Sequence, residues 1–243
     1  MSSPKYQLQL ITAGNFISTL HYGPFAINWW IFYNSKISKY ENFLYIPIRV
    51  NMKVQIVLNK TKFIIRTIYD KTNIMQPGYI CENDDDSQIY LTASEAINKA
   101  YKKLFDTETW FSGLSIMGFD NENIIETLLH GVSFQPFKIQ VDTLSIFISN
   151  LGTTSIKNNN SIQLGYQASV IFKFRGKQSL FVQTINVNNY QIDIFYKNEK
   201  IANYNGISFD EVWKKTGVLK KYSGETLFGI SHQSTINSIN KKK

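Results

Sequence analysis

The chain has 243 residues, of which 43% are hydrophobic, 14% aromatic and 18% charged, and this composition excludes an intrinsically disordered protein. The net charge is +8, but only Arg49, Arg66 and Arg175 among the 26 basic residues are arginines. Because nucleic-acid readout depends on Arg more than on Lys, the positive charge alone does not indicate DNA or RNA recognition. The single cysteine, Cys81, excludes an internal disulfide and a multi-cysteine metal site.

The N-terminal region, residues 1–42, predicts a β extension. Residues 6–11 alternate as a strand does, and residues 25–33 predict a second strand in which Trp29 and Trp30 face opposite sides, buried between layers. The start of the chain lacks the pattern of a secretory signal, and the apolar run is about half the ~20 residues that cross a bilayer. We therefore expect a soluble, intracellular protein.

Residues 43–130 predict a first α+β half. Its predicted strands cover residues 43–50, 53–58 and 62–68. A turn is expected at residues 59–61, and the acidic run at 84–86 predicts a solvated hairpin tip because it lacks the distal Glu of a calcium loop. Thr92 then predicts the N-cap of a helix with Glu95 in its first turn.

Residues 131–240 predict a second half, followed by a basic tail at 241–243. Ser208 is expected to cap a helix that Gly217 ends, with Trp213 on its apolar face. A short apolar segment and a further helix beginning at Ser231 follow.

The two halves repeat the same order of motifs. Residues 112–119 match 223–230 without a gap, which places Asp120 and Ser231 at equivalent N-cap positions. The predicted strands before the helices also correspond: residues 62–68 with 179–185, and 79–82 with 190–193. This order predicts an internal duplication.

The C-terminal motifs carry a family resemblance. The residues involved are Gly206-Ile207-Ser208, Glu211-Val212-Trp213, Tyr222-Ser223-Gly224 and Leu227-Phe228-Gly229-Ile230-Ser231. This stretch resembles the FYRC domain, best at residues 190–239, with a divergent second copy at about 79–129. Residues 165–169 and 180–185 are similar to the companion FYRN module. The resemblance implies a compact α+β unit that serves as a non-catalytic binding or scaffolding module of chromatin-associated proteins.

No motif predicts catalysis, a cofactor or a metal site. His21, His130 and His232 are scattered without metal-ligand spacing, and the glycines form no phosphate loop. Cys81 lies in a predicted strand, where we expect a buried apolar role. Glu95 and Glu211 occupy first turns of predicted helices, where capping explains them.

The sequence therefore predicts an α+β protein of two related halves, with a predominantly antiparallel β-sheet and helices packed on one side. We expect a non-catalytic protein–protein interaction module, chromatin- or transcription-associated and nuclear, with a basic nucleic-acid-binding protein as the alternative. The partner protein and the oligomeric state stay open. Candidate interaction residues, for which core packing is the favoured alternative, are Trp213, Tyr222 and Phe228, and the basic patch comprises Lys214, Lys215, Lys220 and Lys221.

Overall fold

The computed structural model describes residues 6–33, 44–73, 75–82, 88–141, 144–151, 166–172, 178–186, 189–196, 199–207, 209–216 and 232–240. These residues form helices and antiparallel sheets, so the predicted α+β class is confirmed. The chain divides into two compact units, one from residues 1–21 and 28–132 and the other from residues 22–27 and 133–243.

The first unit is built on a four-stranded sheet of order β1-β4-β5-β6 and a separate β2-β3 ladder. Its strands are β1 (Gln7–Thr12), β2 (Trp30–Tyr33), β3 (Leu44–Pro47), β4 (Lys53–Leu58), β5 (Thr61–Ile68) and β6 (Gly78–Cys81). Its helices are α1 (Ser18–His21), α2 (Ala93–Phe105), α3 (Gly113–Ile116) and α4 (Glu122–Leu129).

The core of this unit lies between the sheet and α2. Buried and partly buried residues alternate along β4 and along most of β5, as expected for strands with one face turned to a core. The buried face of α2 consists of Ala93, Ala96, Ile97 and Ala100, and the three small alanines let the helix approach β5 and β6 closely. The predicted N-cap is confirmed, since the Thr92 hydroxyl accepts a hydrogen bond from the Glu95 amide at 3.1 Å.

The β4–β5 hairpin turns where the sequence predicts. Asn59 and Lys60 both adopt positive φ, at 46° and 63°. Two consecutive left-handed residues match the twist of a two-residue hairpin, which fixes the pairing of Leu58 with Thr61.

The second unit contains a six-stranded antiparallel meander of order β12-β11-β10-β9-β8-β7. Its strands are β7 (Phe137–Val141), β8 (Leu144–Leu151), β9 (Tyr166–Phe172), β10 (Gln178–Asn186), β11 (Asn189–Tyr196) and β12 (Glu199–Gly206). Its described residues include the helices α5 (Phe209–Thr216) and α6 (Gln233–Asn240), and α5 packs against β11 and β12.

The strand predicted over residues 25–33 is only half correct. Residues Ala26–Trp29 form a 3₁₀ turn, and only Trp30–Tyr33 is extended. Trp29 and Trp30 are both buried, as expected, and their rings lie 5.9 and 5.7 Å from the ring of His21. An extended strand would send consecutive side chains to opposite faces, whereas the turn brings both indoles to one histidine.

One predicted cap differs from the observed cap by one residue. The N-cap of α4 is Asn121, not Asp120: the Asn121 side chain accepts from the amides of Asn123 and Ile124, because the turn around Gly118, whose φ is +74°, extends one residue further. The N-terminal strand β1 pairs with β4 and is thus an edge strand of the first sheet.

Several predictions concern residues outside the described part of the chain. They are the acidic run at 84–86, the caps at Ser208, Gly217 and Ser231, and the tail at 241–243. The internal duplication stays a prediction. No helix in the described ranges is long and apolar enough to span a membrane.

Candidate functional site

The predicted interaction residues do not form a described surface. Trp213 is buried in α5 with 5% of its surface exposed, so it packs in the core of its unit. Tyr222, Phe228, Lys220 and Lys221 lie outside the described residues.

The two described lysines of the predicted basic patch differ in role. The Lys215 ammonium donates to the Glu211 carboxylate at 2.7 Å and to the Asn205 carbonyl at 3.0 Å. Glu211 also accepts from the Ile207 amide at 2.9 Å, in keeping with its predicted capping role, and the hydrogen bonds from Lys215 and Ile207 lower its pKa. Lys214 is exposed and makes no ion pair with the described residues. Lys215 therefore ties α5 to β12, whereas Lys214 projects a charge that no described residue neutralises.

The titratable residues considered for chemistry lie apart or are buried. Cys81 is fully buried in β6, as expected, and His21, the last residue of α1, is also fully buried. Within the described ranges, no group of three or more His, Cys, Asp or Glu side chains could hold a metal ion.

A buried carboxylate in the second unit is satisfied within its own sheet. Asp193 on β11 is 4% exposed and accepts hydrogen bonds from the side chains of Gln191 and Asn203. The Lys200 ammonium lies 3.1 Å from its second oxygen. Because all of these partners lie on β11 and β12, the polar contacts of Asp193 join these two neighbouring strands.

The described feature best suited to binding is a cleft of about 340 Å³ in the first unit. It lies where the first turn of α2, the start of α3 and the edge of the sheet meet. Its lining contains no charged side chain and consists of Ile31, Tyr79, Leu91, Thr92, Ala93, Ser94, Trp110, Ser112, Gly113, Leu114 and Phe119.

Three large apolar side chains of this lining face solvent. Trp110 is 75% exposed, Leu91 57% and Leu114 49%. Single exposed apolar residues are common on protein surfaces, but three around one cleft form a patch of the kind that marks an interaction site. We call these three residues the cleft rim.

The loop that carries Trp110 is fixed to α2. The Asn98 side chain on α2 accepts from the Phe111 amide at 2.9 Å and donates to the Phe111 carbonyl at 3.5 Å. The Phe111 ring packs edge-on against Tyr101 with centroids 4.9 Å apart, and an ion pair joins Lys102 to Glu108 at 2.7 Å. Because its neighbour is bound on two sides, Trp110 is held at the surface instead of folding onto the core.

One hydrogen bond joins the two helices that line the cleft, and a buried tyrosine lies beside them. The Ser94 hydroxyl accepts from the Gly113 amide at 2.7 Å, which joins the first turn of α2 to the start of α3. Tyr79 is 94% buried, and its hydroxyl has no hydrogen-bond partner among the described residues. Burial raises the pKa of Tyr79, so its phenol stays protonated and keeps a donor for an occupant.

Sequence reasoning did not identify the cleft rim. Phe111 and Met117 are buried, whereas Trp110 is exposed, and the sequence does not distinguish Trp110 from its neighbour Phe111. One signal for Leu114 was present: in the predicted repeat it aligns with Glu225, and a charged counterpart indicates a position facing solvent.

In comparisons with known proteins, no family model, no curated protein and no solved structure matches this chain. The resemblance to the FYRC domain therefore stays a prediction from the motifs named above.

Proposed function

We propose that this chain is a non-catalytic protein-interaction module and that the cleft in its first unit is a docking surface for an apolar side chain of a partner protein. The observation that carries the proposal is the cleft rim: three exposed large apolar side chains around one cleft without charges. Tryptophan is enriched among residues that dominate binding energy at interfaces, especially where it is held in place before binding.

The size of the cleft fits a side chain. The volume of the cleft, about 340 Å³, lies at the low end of the range for small-molecule sites. The residues of the cleft rim are exposed. An apolar side chain would be enclosed by Leu91, Trp110 and Leu114, while the rest of the partner would extend over the surrounding surface.

The same lining disfavours the nucleic-acid alternative at this site. Binding to DNA or RNA depends on cations that neutralise phosphates, and an exposed Trp that stacks on a base normally lies in a positively charged groove. The cleft contains no Lys or Arg, and the nearby Lys102 is paired with Glu108.

The resemblance to the FYRC domain supplies the context of the proposal. It supports a partner among chromatin- or transcription-associated proteins and a nuclear location.

The test is recovery of partners from nuclear extract by the intact chain, with and without nuclease, compared with a Trp110→Ala variant. We expect nuclease-resistant recovery of defined proteins, reduced about tenfold or more by Trp110→Ala, since loss of a central interface Trp typically costs 2 kcal/mol or more. The variant should unfold at the same urea concentration as the parent, because Trp110 is exposed.

The chain offers a matched control. Leu91 and Leu104 are both 57% exposed, but Leu91 lines the cleft and Leu104 on α2 does not. Leu91→Ala should reduce recovery and Leu104→Ala should leave it unchanged. Equal effects of the two substitutions, or recovery that disappears with nuclease, would overturn the proposal.

A further inference from the structure

Resting on the proposed function, we infer that the cleft recognises its partner by strand addition: an extended, uncharged, apolar peptide segment pairs with the backbone at Ile89–Leu91 and inserts a side chain into the cleft. The inference depends on the edge of the first sheet, on backbone groups there that pair with no described residue, and on the chemistry of the cleft beside them.

The sheet ends next to the cleft. β6 is the last strand of the order β1-β4-β5-β6, and beyond it Tyr79 pairs with Tyr90 through two backbone hydrogen bonds of 2.9 and 2.8 Å. The segment around Tyr90 thus continues the sheet outward by one antiparallel bridge.

The outer side of this segment pairs with none of the described residues. In an antiparallel pair, the residues flanking a hydrogen-bonded position direct their amides and carbonyls away from the neighbouring strand. For Ile89 and Leu91, neither group has a hydrogen-bond partner among the described residues. Both side chains are also exposed, 42% for Ile89 and 57% for Leu91, so nothing described covers the edge. Exposed backbone N–H and C=O groups at the edge of a sheet are a template on which another strand can pair.

Leu91 connects the edge to the cleft. Its backbone lies on the unpaired edge, and the residue is also part of the cleft lining. A peptide paired with the edge would therefore pass the rim at Leu91, and because side chains alternate along a strand, every second side chain would point toward the cleft.

The lining determines the class of occupant. Without any charged residue, the cleft would leave a buried charge uncompensated, so the inserted side chain is uncharged and apolar. The hydroxyls of Tyr79 and Ser112, which have no hydrogen-bond partners among the described residues, remain for polar groups of the peptide backbone. The partner segment is therefore extended and rich in β-branched or aromatic residues, the composition that favours strands.

The experiment selects ligands for the intact chain from short random peptides displayed on phage. Selected peptides are synthesised, and each backbone amide is N-methylated in turn, which removes one donor without changing the side chain. We expect N-methylation at alternate positions to weaken binding about tenfold, with little effect at the positions between, because only every second amide of an added strand faces the edge. Binding should also fall about tenfold with Leu91→Ala or Trp110→Ala and stay unchanged with Leu104→Ala.

The possible failures separate the two proposals. Peptides that require Leu91 and Trp110 but tolerate N-methylation at every position would overturn strand addition and leave the docking surface intact. Failure to select any peptide, or selection only of peptides indifferent to both rim substitutions, would overturn both.

Discussion

At the scale of single residues, His21 is enclosed by aromatic rings and backbone groups. Its Nε2 lies 3.0 Å from the Ile48 carbonyl, its Nδ1 lies 2.9 Å from the Ile17 carbonyl, and Phe16 stacks on the ring with centroids 4.2 Å apart. Burial lowers the pKa of His21; the two backbone contacts oppose that shift, and the positive charge of Arg49 adds to it. The imidazole of His21 is therefore harder to protonate in the folded protein than in water.

This environment predicts a pH-dependent stability. The unfolded chain binds a proton at His21 near its ordinary pKa of 6.5, whereas the folded chain binds it only at lower pH. The contribution of His21 is thus fully present above pH 6.5 and is lost as pH falls through the window between the two pKa values, with a slope of at most about 1.4 kcal/mol per pH unit. Urea unfolding between pH 7.5 and pH 5 measures this loss of stability.

His21→Gln provides the comparison for this prediction, because Gln keeps a hydrogen-bond donor but does not titrate. The difference in unfolding free energy between the parent and His21→Gln should shrink as pH falls below 6.5. A difference that stays constant over this range would show that His21 does not contribute to the pH dependence.

At the scale of elements, the junction of α2 and α3 shapes the cleft. Gly113 opens α3 directly against the first turn of α2, and a Cβ at that position would lie 2.9 Å from both the backbone nitrogen and the hydroxyl oxygen of Ser94. Because one of these contacts is with backbone, the helices could not keep their present approach if residue 113 carried a side chain.

Gly113→Ala should therefore destabilise the chain by about 1–3 kcal/mol, the usual cost of overpacking, despite the modest helix-favouring effect of Ala. Ser112→Ala is the matched neighbour: Ser112 is exposed and its side chain makes no capping hydrogen bond, so its effect should stay within about 0.5 kcal/mol. Urea unfolding measures both. Equal stability of the two variants would contradict the close contact at Gly113.

The elements also show what the sequence could predict. The hairpin at Asn59, the Thr92 cap and the buried Cys81 follow from local turn chemistry, capping and strand alternation. The 3₁₀ turn before Trp30 does not, because packing of two indoles around His21 overrides the strand preference of that run.

The candidate site was harder to predict, for a related reason. Trp110 and Phe111 are adjacent aromatic residues, and composition alone assigns both to a core. The contact between Asn98 and the Phe111 backbone, which holds Trp110 outside, joins residues 13 positions apart and becomes visible only in three dimensions.

At the scale of the whole molecule, the net charge of +8 comes mainly from lysines, because only three of the 26 basic residues are arginines. Arg49 donates to the carbonyls of Leu128 and His130 at the C-terminal end of α4, where a cation also complements the helix dipole. Arg66 lies 3.3 Å from the carboxylate of Glu82. The two described arginines thus have structural partners, and all but three of the 26 basic residues are lysines.

A surplus of lysines, with both described arginines held by structural partners, predicts weak, sequence-independent binding to nucleic acid. Fluorescence anisotropy with labelled DNA duplexes of differing sequence should give dissociation constants of about 10⁻⁴–10⁻⁶ M at physiological salt, increasing steeply with salt concentration. The exposed Lys214 belongs to the charges that would contribute, whereas Lys215 is held by Glu211 and Asn205. A dissociation constant of about 10⁻⁸ M or lower for one duplex, with much weaker binding to others, would instead establish specific recognition and favour the nucleic-acid alternative for the chain as a whole. Because the cleft contains no cations, Trp110→Ala should leave even the weak binding unchanged, which separates the charge of the molecule from the chemistry of its docking surface.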